Sequence, residues 1–163
     1  MQQGQEPSLP ISLIRQVFGE QVLVPRDIPG HNVPVLARYV AAITPGLAPL
    51  KGELGLPTLG EELAHLLSTI ESYLDDVAPG YVTKRKWLEL ILAGKSYEEF
   101  EQLRREAENA GRNLQPARML NEPWLARPVS VVQVLWHLAD HTAHHRGRLA
   151  VNMRMCGVEP PKL

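Results

Sequence analysis

The sequence has 163 residues, of which 44% are apolar, so it is long enough to form one domain with its own hydrophobic core. Its 17 Lys and Arg residues nearly balance its 18 Asp and Glu residues. The resulting net charge of −1 gives no general attraction to nucleic acids or to anionic membranes. The single cysteine cannot form an internal disulfide, and the first residues lack the basic and apolar regions of a signal peptide. We therefore expect a cytoplasmic protein with no nucleic-acid partner and no membrane partner.

The first 28 residues are rich in proline and predict a tail with a short helix around "SLIRQVFGE" (12–20). A first core helix follows within "HNVPVLARYVAAI" (31–43), which Thr44-Pro45-Gly46 ends. The apolar residues of this segment recur at helical spacing: Val35, Tyr39, Ala42 and Ile43. We predict that the chain divides into an N-terminal segment, 1–28, and a helical domain, 29–163.

The clearest helix of the first half lies in "LPTLGEELAHLLSTIESYLDDVAPG" (56–80). Thr58 is a suitable N-cap, because Glu61 and Glu62 follow it in the first turn, and Pro79-Gly80 ends the helix. The predicted core stripe consists of Leu59, Leu63, Leu66, Leu67, Ile70 and Leu74. His65 lies beside this stripe.

The second half of the chain predicts three further helices. A short one in "VTKRKWLELILAG" (82–94) ends at Gly94, and a highly charged one begins at Ser96, where alternating charge is typical of a solvated face. Ser130 is expected to cap a last helix that continues to about Met155. Since no segment shows convincing strand alternation, we predict an all-α fold, an antiparallel helical bundle with short extra helices.

Four of the six histidines lie in "LWHLADHTAHHRGRL" (135–149), on the last predicted helix. His141 and His145 are one turn apart and differ by about 40° around the helix axis, so their rings can reach a common point. This spacing suits two imidazole ligands of one metal ion, and His65 on the other well-formed apolar helix is the candidate third ligand. His137 and His144 share a neighbouring flank, from which they could line a site without binding the metal.

The ordinary alternative is that these histidines are half-buried rings with backbone or carboxylate partners. That reading is the better one for a single histidine on an apolar helix. Four histidines on one helix would each need a separate hydrogen-bond partner in a metal-free core, so a metal site is favoured. Three imidazoles suit zinc, nickel, iron or manganese, and we name zinc first.

The stretch "LWHLADHTAHHRGRLAVNMRMCGVEPP" resembles the C-terminal signature of the DinB/YfiT-like metalloenzyme family, and "TLGEELAHLLSTIESYL" is similar to the second helix of that family. The resemblance covers about residues 31–163. It implies an up-down-down-up four-helix bundle in which His65, His141 and His145 hold a divalent metal. The family commonly has Gln where this chain has Arg148, and the first 28 residues have no clear place in the pattern.

The resemblance also implies a reaction, because relatives include transferases and isomerases that use low-molecular-weight thiols such as bacillithiol or mycothiol. A metal-activated thiolate that attacks an electrophilic small molecule is therefore the mechanism we expect. His144 is the candidate catalytic residue that moves a proton, and Arg146 and Arg148 are candidate partners of carboxylates on the thiol cofactor. Relatives often form homodimers.

Each of these roles has a plainer alternative. His144 is equally suited to be a partnered flank histidine, and the two arginines to be solvated side chains that cover the helix flank. Cys156 lies about three turns from His145, too far to bind the same metal. At the level of the whole protein, the alternative to an enzyme is a non-enzymatic metal-binding stress-response or interaction protein. Nucleic-acid binding through "TKRKW" and the late arginines ranks last.

Overall fold

The computed structural model describes residues 7–20 and 34–162. In this part of the chain the structure is mostly helical, which confirms the predicted all-α class. Its helices are α1 (Leu9–Val17), α2 (Val35–Ala42), α3 (Leu59–Val77), α4 (Trp87–Leu92), α5 (Ser96–Arg112) and α6 (Val131–Met155). The predicted boundary between residues 28 and 29 lies outside the described residues, as does His31.

Two short strands precede α6, and the sequence did not predict them. Strand β1 (Met119–Leu120) pairs antiparallel with β2 (Val129–Ser130). Two residues are too few to show the alternation by which a strand is recognised. The pair closes the loop between α5 and α6 and so fixes the start of α6.

Helices α3 and α6 each begin with a capping box. The Thr58 hydroxyl accepts the Glu61 N–H at 3.1 Å, and the Glu61 carboxylate accepts the Thr58 N–H at 2.8 Å. Ser130 and Gln133 make the same reciprocal pair at the start of α6. Both predicted N-caps are therefore confirmed, and each satisfies two backbone donors that a bare helix end would leave unpaired.

Helices α3 and α6 lie side by side and run antiparallel. Glu62, near the start of α3, contacts His145, and Tyr73, later in α3, contacts His137, which is earlier in α6. The predicted stripe of α3 is completely buried in this interface and in the core behind it, and so are Leu138 and Leu149 of α6. Burial of six large aliphatic side chains on α3 alone, at about 2 kcal/mol each, holds the two helices together.

Helix α1 belongs to the same core and runs antiparallel to α5. Phe18, directly after α1, makes an edge-to-face ring contact with Phe100 at 5.6 Å. Arg15, earlier in α1, donates a hydrogen bond to Glu108, later in α5. Gly111 lets α5 approach closely, because a Cβ there would lie 2.7 Å from Ile14. The short N-terminal helix thus covers the face of the core formed by α5 and α6.

Asn152 fixes the loop that leads into α3. Its side-chain oxygen accepts the Gly52 N–H at 2.7 Å, and its amide donates to the Pro57 carbonyl at 3.0 Å. A Cβ on Gly52 would lie 2.4 Å from Met155, so only glycine allows this approach. The start of α3, which carries Glu62 and His65, is therefore held in register with α6. Across residues 7–20 and 34–162, every helix is too short or too polar to cross a membrane.

Candidate metal centre

Three histidine side chains from two helices meet at the interface of α3 and α6. One nitrogen of each of His65, His141 and His145 lies within 4.8 Å of the other two. His145 is buried, His141 is half-buried and His65 is exposed. These are the three residues that the helical spacing selected, and they form a group that could hold a metal ion.

A buried carboxylate orients the innermost of the three rings. The Nδ1–H of His145 donates to the Glu62 carboxylate at 2.8 Å, and Glu62 itself is only 4% exposed. With the proton on Nδ1, the lone pair of His145 lies on Nε2, which faces the Nε2 of His141 at 3.2 Å. A carboxylate behind a histidine ligand fixes its tautomer and strengthens its donor nitrogen.

The spacing of these donors fits a metal ion. Two imidazole nitrogens that each lie about 2.0–2.1 Å from a tetrahedral zinc are roughly 3.3 Å apart, close to the observed 3.2 Å. His65 completes the set from the facing helix, and its exposed ring is free to rotate toward the other two. The residues present therefore fit a three-imidazole site with room for a further ligand on the exposed side.

The electrostatics of the cluster favour a neutral ring at His141. Burial lowers the pKa of the His141 imidazole, and the nearby imidazoles of His145, His137 and His65 lower that pKa further. A neutral imidazole is the form that binds a metal ion. His141 is thus already in its ligand form at neutral pH.

An aromatic group covers one side of His141. The Tyr73 ring lies 5.7 Å from His137 and 6.3 Å from His141, and Trp124 packs edge-on against Tyr73 at 5.3 Å. His137 belongs to this group and lies 6.1 Å from His141, ring to ring. These rings pack along one side of the cluster.

The other side opens into a cleft of about 510 Å³, here named the Glu62 cleft. Glu62, His144 and Arg148 contribute its polar lining, while Leu56 and Val151 are among its apolar residues. One Nη of Arg148 lies 3.7 Å from the Glu62 carboxylate. The cleft therefore reaches the residue that orients His145, and it does not include the three histidines of the cluster.

The remaining predicted site residues lie in separate places. His144 is exposed and its ring is 5.3 Å from that of His145, so it borders the site without joining the cluster. Arg146 and Arg148 line different clefts, and the expectation that they contact a thiol cofactor stays a prediction. Two residues along a helix are about 200° apart around its axis, which explains the separation. Cys156 is half-buried and its nearest polar contact is Asn152, at 3.9 Å.

Glu62 is the functional residue that the sequence interpretation missed. It was assigned with Glu61 to the acidic first turn of α3, but only Glu61 serves the cap. Glu62 precedes His65 by three positions and therefore lies on the same face of the helix. A Glu-x-x-His pair beside an apolar stripe is the signal that could have identified it.

The comparisons with known proteins agree with this site. No curated protein and no solved structure matches the chain. The family model described as "DinB family" matches residues 32–163, which include α2 to α6 and all three histidines of the cluster. The chain belongs to the DinB family.

Proposed function

We propose that this protein is a metal-dependent enzyme that transfers a low-molecular-weight thiol to an electrophilic small molecule. The observation that carries the proposal is the convergence of three imidazoles beside the Glu62 cleft, with a buried carboxylate behind one of them. A site with three protein ligands is typical of catalytic rather than structural zinc. The thiol as co-substrate rests on the resemblance to thiol-dependent relatives.

We propose His65, His141 and His145 as the metal ligands, with zinc first and nickel, iron or manganese as further candidates. When bound by neutral imidazoles, a divalent metal keeps its full charge and lowers the pKa of a coordinated thiol or water. Glu62 holds His145 in the required tautomer, and Arg148 balances the charge of that carboxylate. The aromatic group around Tyr73 packs against the opposite side of His141.

The Glu62 cleft is the place where we propose that the thiol lies. Arg148 is the candidate partner for a carboxylate of the thiol cofactor, and a ring nitrogen of His144 is the candidate acceptor for the thiol proton. The sulfur then forms a bond to the electrophilic carbon, and the leaving group departs with the electron pair of the broken bond. With a haloalkane the products are a thioether, a halide ion and the proton held by His144.

Glu62→Gln is expected to weaken metal binding by about 10- to 100-fold while the fold is retained. Glutamine keeps the shape of Glu62 and still accepts the Nδ1–H of His145, but it lacks the negative charge that strengthens the donor on Nε2. Competition with a chelator of known affinity measures the change. Glu61→Gln is the matched control, since Glu61 serves the helix cap and should leave metal affinity unchanged. Equal affinity in Glu62→Gln and the native protein would contradict this role.

The zinc-loaded protein should accelerate the conjugation of a low-molecular-weight thiol to a haloalkane or an epoxide, and a chelator should abolish that acceleration. Thiol consumption and thioether formation are measured with bacillithiol, mycothiol and glutathione. His144→Ala should retain the metal and lose about 10²- to 10⁴-fold in rate, because it removes the proton acceptor only. Matching rates for the metal-loaded native protein and the uncatalysed reaction across this panel would overturn the proposed transfer.

A non-enzymatic metal-binding role is the second candidate, and one observation favours it. The three histidines join α3 to α6, so a bound ion would cross-link the two longest helices of the described chain. In that case, zinc should raise the unfolding temperature without any turnover of the thiol panel. The two measurements made together separate the candidates.

The proposal also includes the topology of the bundle, the bounds of the domain, the cellular location and the oligomeric state. We propose the up-down-down-up four-helix bundle within residues 29–163, supported by the antiparallel pair of α3 and α6. We also propose that residues 29–163 form the metal-binding domain, that the protein acts in the cytoplasm and that it forms a homodimer. The homodimer rests on the resemblance to relatives that often form homodimers.

A further inference from the structure

A second cleft, of about 460 Å³, lies on the side of α6 opposite to the metal ligands. Arg146 and Arg154 line it from α6, Tyr39 from α2 and Lys162 from the C-terminal segment. We name it the Arg146 cleft. At 100° per residue, its α6 residues centre about 180° from His141 and His145, so it is separate from the proposed metal site.

The Arg146 cleft is basic although the chain as a whole has a net charge of −1. Three cationic side chains line it, against a single carboxylate, that of Glu159. Within residues 7–20 and 34–162, none of Arg146, Arg154 and Lys162 forms an ion pair through its side chain. Their charges are therefore available to a ligand.

Arg146 is held at the cleft by packing. Its Nη1 lies 3.2 Å from the position that a Cβ on Gly19 would take, and Gly19 has the left-handed φ of +79°. The glycine thus provides both the turn after α1 and the space for the guanidinium. Burial lowers the pKa of Arg146. A half-buried guanidinium with five donors and no acceptor is costly in the free protein, and an anion in the cleft would relieve that cost.

Tyr39 adds a neutral donor to the same cleft. It is only 3% exposed, and its hydroxyl forms no hydrogen bond with any described residue. Burial raises the pKa of the Tyr39 hydroxyl, so the group keeps its proton and can donate it in a hydrogen bond. A hydroxyl that lines a cationic cleft, with no partner among the described residues, is placed to donate to an oxygen of a ligand in the cleft.

We propose that the Arg146 cleft binds a small organic oxyanion with two or more negative charges, a phosphate monoester or a polycarboxylate. Arg146, Arg154 and Lys162 contact the anionic group, and Tyr39 donates to one of its oxygens. Ala143, Ala150 and Pro160 form an apolar wall for the carbon part of the ligand. The volume suits a small metabolite. The proposal is independent of the metal chemistry, because the two sites lie on opposite sides of α6.

Calorimetric titration of the full chain with phenyl phosphate and with citrate tests the proposal, with benzyl alcohol as the uncharged comparison. At least one of the two anions should bind with one site per chain, more weakly as salt is added, and benzyl alcohol should not bind. Phenyl phosphate binding alone assigns a phosphate monoester, and citrate binding alone assigns a polycarboxylate. Arg146→Gln and Arg154→Gln should each weaken binding by about 10- to 100-fold, the loss expected for a charge-assisted hydrogen bond.

Two further variants test the role of the Tyr39 hydroxyl and provide a matched control. Tyr39→Phe removes only the hydroxyl and should weaken binding several-fold in a folded protein. Arg105→Gln, at an exposed position of α5 outside both clefts, should leave anion binding unchanged. In the absence of anion, Arg146→Gln should be at least as stable as the native protein, because the guanidinium has no ion-pair partner among the described residues and its burial is costly. The proposal is overturned if neither anion binds, or if Arg105→Gln weakens binding as much as Arg154→Gln does. If no anion binds, the proposed metal site and thiol transfer are not affected, because they are tested by separate measurements.

Discussion

The double variant His141→Ala, His145→Ala is expected to lose the bound divalent metal, from about one ion per chain in the native protein to none. The Nε2 atoms of His141 and His145 lie 3.2 Å apart, so the double variant removes two of the three nitrogen donors of the proposed site. A single remaining imidazole, that of exposed His65, holds zinc weakly. Elemental analysis of protein purified without a histidine tag measures the metal content. The single variants, including His65→Ala, should also be strongly depleted.

The neighbouring histidines provide the controls. His137→Ala and His144→Ala should keep the metal, since His137 belongs to the aromatic group around Tyr73 and His144 borders the Glu62 cleft. His31 lies outside the described residues, and His31→Ala is expected to retain the metal as well. Full metal retention in the double variant would refute the site. Loss of metal in His144→Ala together with retention in His145→Ala would mean that the ligands are wrongly assigned along α6.

Local sequence signals predicted the elements that hold the site. The N-caps Thr58 and Ser130 set the start of α3 and α6, and the apolar stripe of α3 set which face is buried. Because a helix is periodic, those two facts were enough to place His65 and the pair His141 and His145 on facing surfaces. The metal cluster was therefore predictable without tertiary information.

The supporting residues were not predictable in the same way, because their partners are distant in sequence. Glu62 is 83 positions from His145, and nothing local indicated that this carboxylate points inward. Arg146 and Arg148 looked equivalent as neighbours in sequence, yet the helix places them in different clefts. The cation cluster of the Arg146 cleft needs α2 and the C-terminal segment together, which only the fold provides.

Arg85 is the clearest case of a role that the sequence concealed. Arg85 lies in the basic segment "TKRKW" (83–87), which the sequence indicates as a basic surface at most. In the structure the Arg85 side chain is only 7% exposed. The guanidinium bonds Glu71 of α3 at 3.1 Å, and Glu99 and Glu106 of α5 at 2.8 and 2.9 Å. Part of the charged face of α5 is thus an ion network that joins α3, α5 and the loop between α3 and α4.

The variant Arg85→Met is expected to lower the free energy of unfolding by about 3–5 kcal/mol near neutral pH. Methionine replaces the aliphatic stem but leaves the Glu71 carboxylate, 2% exposed, without its cation. Urea unfolding followed by circular dichroism measures the loss. Lys86→Met is the matched control, because the ion pair of Lys86 with Glu89 is exposed and its removal should leave stability unchanged. A loss below about 1 kcal/mol in Arg85→Met would show that the network does not stabilise the fold.

The stability difference between the native protein and Arg85→Met should shrink as the pH falls. Burial raises the pKa of Glu71 even in the native protein, and removal of Arg85 raises it further, so the variant gains stability when Glu71 takes up a proton. Burial alone would raise the pKa of Glu106, but the hydrogen bonds from Arg85, Thr83 and Gln102, with the charge of Arg85, together outweigh burial and lower that pKa. Glu106 therefore stabilises the native protein above its unfolded pKa, and this contribution is lost as the pH falls through its folded pKa. Both effects narrow the stability gap as the pH falls from neutral. The second change Glu71→Gln in Arg85→Met should recover stability at neutral pH, because it removes the unpaired buried carboxylate. A stability gap that stays constant between neutral pH and about pH 4 would show that packing, and not the unpaired carboxylates, causes the loss.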